Sequence, residues 1–482
     1  MYETYPANFV SMKTRQTFQN VEITDISTEG KGIGRVNNIV CFIDFAVPGD
    51  VVDIEITKKK SNYREGKVIQ YQKYSKKRTE PVCKHFGTCG GCKWQNLNYE
   101  TQLFYKQKYV ADALTRIGHL SIETSKFHLI VPSKNIFNYR NKLEFTFSNK
   151  KWLTKDELSL TLSSTSNSIS HSGLGFHIPK LFDKVLDIEQ CHLQEDPSNA
   201  IRLEVKKYAL ENKLEFYDIR KQTGFLRNLI IRNTSTGQWM GIVVFFYEDK
   251  PSREKLLKHL SENFMQITSL QYVINPKKND SIFDLEVKTF SGNNFIEEEM
   301  EGLKFRISPK SFFQTNSAQA FELYKVTRDF AELKGNETVY DLYTGTGTIA
   351  NFVARKSKKV IGIEYINVAI EDAKINSQIN NISNTEFFAG DIKDVLNNEF
   401  ISLHGKPDVI ITDPPRAGMH EDVVKKILEI SPEKIIYVSC NPATQARDIS
   451  LMNEKYFVEK VQPVDMFPHT AHVESVAKLV RK

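Results

Sequence analysis

The C-terminal third of the chain repeats one pattern, a short apolar run rich in β-branched residues followed by a stretch with helical spacing. Five such runs occur, at 339–342, 360–363, 385–388, 409–412 and 435–438. Alternation of strands and helices predicts an α/β fold with a doubly wound, largely parallel sheet. Ligands of such sheets bind at the carboxyl ends of the strands. The residues that follow these runs are therefore the first candidates for a functional site.

The first two runs are followed by the parts of a nucleoside-binding site. A glycine turn, DLYTGTG, contains Gly345 and Gly347, and the second run ends at Glu364. The carboxylate follows the turn by roughly 20 positions, the spacing at which it can hold two ribose hydroxyls. The full dinucleotide fingerprint is missing because only two glycines are present. This shorter turn suits S-adenosylmethionine, which has no pyrophosphate, better than NAD.

The last run ends in SCNP and brings Cys440 to the same edge of the predicted sheet. A cysteine at a strand end beside a cofactor turn is a candidate nucleophile. The alternative is a buried structural thiol, the usual role of a lone cysteine. Asp391 and Asp413 follow the third and fourth runs and belong to the same predicted edge.

The N-terminal part of the chain predicts a different fold. Five short strands at 21–26, 32–36, 39–45, 51–57 and 66–71 indicate a small OB-like barrel within 13–75. Nine Lys or Arg residues against one acid, with tyrosines between them, lie in 58–78. This bias indicates a phosphate-binding face, or else a solvated charged surface. Cys41 is expected to be an ordinary core residue.

Three cysteines follow the barrel directly, in the pattern C-x5-C-x2-C. They are Cys83, Cys89 and Cys92, and Cys191 is the candidate for a fourth ligand. Four thiolates suit zinc as well as an iron–sulfur cluster, and the spacing favours the cluster.

The middle of the chain predicts a helix at 99–118 and then mainly strands, at 142–148, 158–162, 229–232, 241–247 and 270–275. Arg227 and Arg232 flank these strands and are expected to be solvated charges. No apolar run reaches the roughly 18 residues that span a bilayer, and the N-terminus does not resemble a signal peptide. A cytoplasmic protein with no membrane partner is therefore expected.

Read together, the cysteine pattern and the motifs QTN, DLYTGTG, DPPR, SCNP and FPHTAHVE closely resemble the RNA uracil-5-methyltransferases over nearly the whole chain. The barrel is similar to the TRAM domain of the members that modify 23S ribosomal RNA. The resemblance implies a TRAM-like RNA-binding barrel at 13–75, an iron–sulfur and central RNA-binding domain at 76–310, and a methyltransferase domain at 311–482. The helix at 99–118 is expected to pack on the last of these.

The resemblance also implies roles for individual residues. A [4Fe-4S] cluster would be held by Cys83, Cys89, Cys92 and Cys191. Contacts to S-adenosylmethionine would come from Gln314, Tyr343, Glu364 and Asp413, with Asp391 on the adenine side. Cys440 would add to carbon 6 of uracil, and Glu474 of the HVE motif would remove the proton from carbon 5.

Elementary acid–base chemistry raises two questions about this assignment. His469 and His472 titrate nearer neutrality than a glutamate does, so Glu474 serves as a base only if burial raises its pKa. Cys440 needs a helix N-terminus or a cation such as Arg416 to populate its thiolate. The expected substrate is a uridine of 23S ribosomal RNA, with the protein acting as a monomer.

Four alternatives remain open at this stage. A transfer RNA uridine is the second substrate candidate. Cytosine-5 and amino-group methyltransferases fit less well, because the former place a cysteine after the fourth strand and the latter need neither Cys440 nor Glu474. The fourth alternative is a non-catalytic iron–sulfur protein that binds RNA.

Overall fold

A computed structural model describes residues 16–120, 126–154, 157 and 171–482. The chain divides into two compact units. The first contains the described residues up to Pro81, together with Lys93–Gln102 and His469–Ala471. The second contains Val82–Cys92, Leu103–Pro468 and His472–Lys482. No helix among the described residues is long and apolar enough to cross a membrane.

The first unit is built around a closed five-stranded barrel, as the turn-rich N-terminal pattern predicts. Its strands are β1 (Thr17–Ile26), β2 (Gly32–Val36), β3 (Ile39–Asp44), β4 (Val51–Lys59) and β5 (Tyr63–Lys73), in the order β1-β2-β3-β5-β4. Only the β3–β5 pair is parallel. Cys41 lies in the barrel core, as expected. Residues 13–15 of the predicted barrel lie outside the described residues.

The second unit contains a mixed sheet in its N-terminal half. Its strand order is β12-β11-β10-β9-β6-β7-β8. The bounds are β6 (Lys142–Ser148), β7 (Gly173–Ile178), β8 (Leu181–Asp187), β9 (Leu226–Asn233), β10 (Trp239–Phe245), β11 (Ile267–Ile274) and β12 (Val287–Gly292). Helices α2 (Ser198–Glu211) and α3 (Lys250–Asn263) pack on one face. The strand predicted at 158–162 lies outside the described residues.

The burial of two arginines of β9 differs from what the sequence predicts. Arg227 and Arg232 are buried, and their guanidinium groups donate to backbone carbonyls instead of facing solvent. The prediction that they are solvated charges is wrong, because the segment that follows β11 covers Arg227 and the segment that follows β14 covers Arg232.

The C-terminal half of the second unit is the predicted doubly wound sheet, with the order β17-β16-β15-β18-β19-β21-β20. Strands β15 (Thr338–Leu342), β16 (Lys359–Glu364), β17 (Thr385–Ala389), β18 (Val409–Thr412) and β19 (Lys434–Ser439) are parallel. Strand β21 (Glu474–Arg481) runs antiparallel to β19 and to β20 (Tyr456–Val464). A hairpin of β13 (Ile296–Met300) and β14 (Leu303–Ile307) precedes the sheet.

Helices cover both faces of this sheet. Residues of α4 (Ser317–Ala331), α5 (Thr348–Ala354) and α6 (Asn367–Ile379) form one buried apolar cluster with the strands. Residues of α1 (Tyr99–Arg116), α7 (Ile392–Val395), α9 (Glu421–Ile430) and α10 (Pro442–Met452) form the other. The short helix α8 (Asn398–His404) precedes β18. Since both faces are covered, only the strand ends are left for a site.

Candidate active site

Strand register brings four chemically active side chains to one edge of the C-terminal sheet. Leu342 pairs with Thr412, Thr412 with Tyr437, and Ser439 with Ser475. Asp341, Asp413, Cys440 and Glu474 each lie within one residue of these paired positions. The ends of the adjacent strands β15, β18, β19 and β21 therefore carry a thiol and three carboxyl groups.

Cys440 follows β19 directly and precedes helix α10. Asn441 caps that helix by accepting from the Ala443 amide at 3.2 Å, and Pro442 occupies the first turn. The Asn441 side chain also donates to the Arg416 carbonyl at 3.0 Å. This bond ties the SCNP turn to the DPPR turn and holds the half-buried thiol between them.

The thiol of Cys440 lies in a negative environment. Burial, followed by the charges of Glu474 and Asp413, raises its pKa to about 11, and Arg416 acts in the opposite direction. The cation proposed from the sequence is therefore present, but its effect is smaller than that of burial and the two carboxylates. Cys440 is held as a neutral thiol in the free protein.

Glu474 meets the condition that a glutamate base requires. It is 4% exposed at the start of β21. Burial and then the neighbouring charge of Asp413 raise its pKa well above the ordinary glutamate value. Burial also raises the pKa of Asp413 to about 7. A raised pKa makes a carboxylate a stronger base, which is what general base catalysis needs.

The glycine turn after β15 adopts conformations that its sequence explains. Gly345 and Gly347 have positive φ angles of 55° and 73°, and Tyr343 has 63°. A Cβ atom at position 347 would lie 2.8 Å from that of Ala373. Glu364 accepts from the Gly345 amide at 3.2 Å. The turn and the predicted ribose carboxylate are thus in contact.

Asp391 and Gln314 lie in the same unit as Cys440. Asp391 caps helix α7, and an ion pair with Lys393 at 3.1 Å lowers its pKa. Gln314 lies between β14 and α4, and its carbonyl accepts from the Asn141 side chain at 2.8 Å. Neither residue is brought next to Cys440 by strand pairing.

Asp341 is a functional candidate that the sequence reasoning left unassigned. One of its oxygens accepts from the Thr344 hydroxyl at 2.5 Å and from the Ala350 amide at 3.1 Å. The other is buried and, among the described residues, has no hydrogen-bond partner. Burial raises the pKa of Asp341 to about 7. Its position at the start of the DLYTGTG motif was the signal that could have identified it.

The four cysteines of the predicted metal centre lie in the second unit and are half-buried. Burial, together with the nearby thiols of Cys89 and Cys83, raises the pKa of Cys191 to about 11. Cys191 is also anchored through its backbone amide, which donates to Asn199 at 2.8 Å. In the described part of the chain, however, no three His, Cys, Asp or Glu side chains are arranged to hold a metal ion.

A doubly wound sheet with a glycine turn, a ribose-spaced carboxylate and a strand-end thiol defines the class of S-adenosylmethionine-dependent methyltransferases. Comparison with known proteins identifies the family. Residues 285–482 match the tRNA (uracil-5-)-methyltransferase family and residues 13–69 match the TRAM domain. The chain belongs to the RNA uracil-5-methyltransferases that carry a TRAM domain, and it is an enzyme of that class.

Relatives of similar length support this assignment. An uncharacterized RNA methyltransferase of Porphyromonas gingivalis is 53% identical over 96% of this chain and 99% of its own. One from Bacteroides thetaiotaomicron is 55% identical over 94% of this chain and 99% of its own. The crystal structure of Pyrococcus abyssi tRNA (uracil-54, C5)-methyltransferase in complex with S-adenosyl-L-homocysteine matches this fold with a TM-score of 0.73. The two sequences are 30% identical, and the match covers 96% of this chain and 100% of that chain.

Proposed function

We propose that this enzyme methylates carbon 5 of a specific uridine in 23S ribosomal RNA, acting as a cytoplasmic monomer, with Cys440 as nucleophile and Glu474 as base. The observation that carries the proposal is the pairing of β19 with β21, in which Ser439 lies opposite Ser475. The thiol that follows the end of β19 and the buried carboxyl group at the start of β21, whose pKa is raised, therefore lie beside the turn proposed to bind the cofactor.

The chemistry needs both residues because carbon 5 of uracil is a weak nucleophile. The reaction starts from the small fraction of molecules in which Cys440 has already lost its proton to solvent; when that thiolate bonds to carbon 6, carbon 5 gains enolate character. S-adenosylmethionine, when bound, supplies the methyl group to carbon 5. Glu474 then takes the proton from carbon 5, and the electron pair left behind expels the thiolate from carbon 6. The net exchange is a methyl group for a proton.

The cofactor would be held by the residues that the family resemblance implies. Tyr343 lies in the glycine turn, and the Glu364 carboxylate accepts a hydrogen bond from that turn. One oxygen of Asp341, at the start of the same motif, has no hydrogen-bond partner among the described residues and can accept one from the cofactor. Gln314, Asp391 and Asp413 complete the proposed set. These residues fit a ligand that carries hydroxyl, amino and sulfonium groups, because nearly all of them offer acceptors or negative charge.

We also propose that Cys83, Cys89, Cys92 and Cys191 hold a [4Fe-4S] cluster. Two observations support it, the C-x5-C-x2-C spacing and the proximity of Cys83 and Cys89 to Cys191. Anaerobically purified protein should contain about four irons and four sulfides per chain. Cys191→Ser should lose the visible absorbance of the cluster, and zinc at one atom per chain would contradict the assignment.

The barrel is proposed to grip RNA. Arg78 forms an ion pair with the buried Asp50 at 2.7 Å and lies 4.7 Å from the centre of the Tyr71 ring. Tyr74 stacks on Tyr71 at 4.6 Å and is 65% exposed. A fixed aromatic surface among lysines suits nucleobase stacking and phosphate contact.

An exposed aromatic residue next to Gln314 is proposed to stack on the flipped base. Phe312 is 69% exposed, whereas Phe313 is buried in the core. Only Phe312 is therefore available for the stacking that base extrusion requires.

Transfer RNA remains the second substrate candidate for a specific reason. The Pyrococcus abyssi relative is named for uracil-54 of tRNA and is covered along its full length by this chain. The presence of the barrel therefore does not distinguish the two substrates.

The test uses transcripts of a 23S fragment and of a tRNA, both containing 5-fluorouridine, incubated with S-adenosylmethionine. Fluorine cannot leave as a proton, so the Cys440 adduct should persist on a denaturing gel with the 23S fragment. Cys440→Ala should form no adduct. Glu474→Gln should lose roughly 10²- to 10⁴-fold in turnover on normal RNA and accumulate adduct, whereas Glu386→Gln, on the edge strand β17, should leave turnover unchanged.

The outcomes separate the alternatives. A band with tRNA alone would keep the mechanism and change the substrate. A folded protein that binds S-adenosylhomocysteine but forms no adduct with either RNA would favour the non-catalytic RNA-binding protein. Near-normal turnover in Cys440→Ala or Glu474→Gln would remove that residue from the mechanism.

A further inference from the structure

The segment between β14 and α4 is held by a buried cation that forms no ion pair with an acidic side chain among the described residues. Arg232 on β9 is 4% exposed. Its two terminal nitrogens donate to the Ser308 and Ser311 carbonyls at 2.9 and 2.8 Å. Burial alone lowers its pKa, to about 10. Burial and then the nearby charge of Arg232 lower the pKa of Lys142, a second cation. Keeping an uncompensated charge here is costly, so its two bonds require an explanation.

The same turn is held from its other side by a buried acid. Asp372 on α6 accepts from the Ser308 hydroxyl at 3.2 Å and from the Ser311 hydroxyl at 2.5 Å. The Ser311 hydroxyl oxygen also accepts from the Ser308 amide at 3.0 Å. Each serine therefore bonds Arg232 through its carbonyl and Asp372 through its hydroxyl. The turn has little freedom to move.

This fixed turn leads directly to Gln314. Two residues separate Ser311 from Gln314, and Asn141 holds the carbonyls of Gln314 and Thr315 at 2.8 and 2.9 Å. The segment is thus anchored at both ends. Before Gln314 it is bonded to Arg232 of β9 and Asp372 of α6, and at Gln314 and Thr315 it is bonded to Asn141, the residue that precedes β6. A small displacement of the turn would be transmitted to Gln314.

Helix α6 also supports the glycine turn. The Asn376 side chain donates to the Thr346 carbonyl at 3.0 Å and accepts from the Arg306 amide at 2.8 Å. Asn376 and Asp372 lie four residues apart, on one face of the helix. The two stretches proposed to contact the cofactor, around Gln314 and around Tyr343, therefore share one buried support.

We propose that Arg232 is a positioning residue for the cofactor site, which fixes Gln314 through the carbonyls of Ser308 and Ser311. The proposal rests on the proposed function, in which Gln314 contacts S-adenosylmethionine. A guanidinium is suited to this task because its planar fork holds two N–H donors in fixed directions toward two carbonyls, whereas a lysine ammonium donates from one flexible point and a methionine has no donor.

The experiment measures S-adenosylhomocysteine binding by calorimetry in the absence of RNA, so that no chemical step contributes. Arg232→Met should weaken binding by roughly tenfold or more, because supporting contacts hold a site in its productive geometry. Arg232→Lys should recover part of the loss. Arg227→Met is the matched control, since Arg227 is an equally buried arginine of β9 that bonds the carbonyls of Asn275 and Lys277. It should leave the dissociation constant within about twofold.

A double-variant cycle distinguishes positioning from general destabilisation. If Arg232 acts through Gln314, Arg232→Met added to Gln314→Ala should weaken binding little beyond Gln314→Ala alone. Fully additive losses, or an equal loss in Arg227→Met, would overturn the proposal. If Arg232→Met does not fold, Arg232→Lys, which keeps the charge but loses the planar fork, takes its place in the cycle with Gln314→Ala. Failure of the wild-type protein to bind S-adenosylhomocysteine would instead contradict the proposed function.

Discussion

The ionisation of Cys440 is the property of this site that a direct chemical measurement can test. Its pKa of about 11, against an ordinary value of 9, corresponds to roughly 3 kcal/mol favouring the thiol over the thiolate. At pH 8 only about one thiol in a thousand is then ionised. Asp413→Asn removes one of the charges that raise this pKa and should lower it. Arg416→Gln removes the opposing charge and should raise it further.

Alkylation by iodoacetamide reports the thiolate, because the neutral thiol does not react. Trypsin releases residues 435–447 as one peptide, and Cys440 is its only cysteine. Mass spectrometry of that peptide therefore follows Cys440 without interference from the other five. Between pH 6.5 and 9.5 the rate should rise about tenfold per pH unit without reaching a plateau. At pH 8, Asp413→Asn should react several-fold faster than wild type and Arg416→Gln more slowly.

A plateau below pH 9 in the wild-type protein would refute this account of the site. It would mean that Arg416 and the N-terminus of α10 outweigh burial and the two carboxylates. Identical rates in wild type and Asp413→Asn would show that the charge of Asp413 does not contribute to the raised pKa. Urea-unfolded protein supplies the reference rate, and its Cys440 peptide should show the midpoint of an ordinary thiol.

Three further predictions concern stability. The folded-state pKa of Asp341 is raised to about 7 from 3.8, so the stability it contributes is present at low pH and lost as pH rises through 7. Asp341→Asn should therefore gain about 3 kcal/mol relative to wild type between pH 5 and pH 8, measured by urea unfolding at each pH; a pH-independent difference would contradict this. Gly347→Ala should lose about 1–3 kcal/mol because its Cβ meets Ala373, whereas Gly405→Ala, with a positive φ and open space, reports backbone strain alone. Lys106→Met breaks a fully buried ion pair with Asp465 and should cost about 3–5 kcal/mol, most of it recovered when Asp465→Asn is added; an unrecovered loss would indicate packing instead.

The C-terminal sheet was predictable because local signals determine most of it. Each parallel strand is a short apolar run, and the residue that follows it stands at the sheet edge whatever the long-range contacts are. Gly345, Glu364 and Cys440 could therefore be assigned to one edge from the sequence alone. The barrel was predictable for a similar reason, because its turns are marked by Gly, Asn and Pro-Gly signals.

The position of Glu474 could not be derived in this way. It lies beside Cys440 because β21 inserts antiparallel between β19 and β20, an arrangement that the alternation of strands and helices does not predict. Only the family resemblance pointed to it. The burial of Arg232 was mispredicted for a related reason. Its partners are backbone carbonyls of a later loop, and no side-chain pattern records them.

The helices that cover both faces of the C-terminal sheet create the site and also reduce the stability of the fold. Covering both faces of a parallel sheet leaves polar groups only at its ends, where Asp341, Asp413 and Glu474 are crowded and partly or fully removed from water. All three carboxyl groups have raised pKa values, so the folded protein holds their protons more tightly than the unfolded chain does. Such groups destabilise the fold once they ionise, and they persist where catalysis or binding needs them. Neutral substitutions at these positions should therefore raise stability at alkaline pH while they weaken function, and a surface carboxylate would show neither effect.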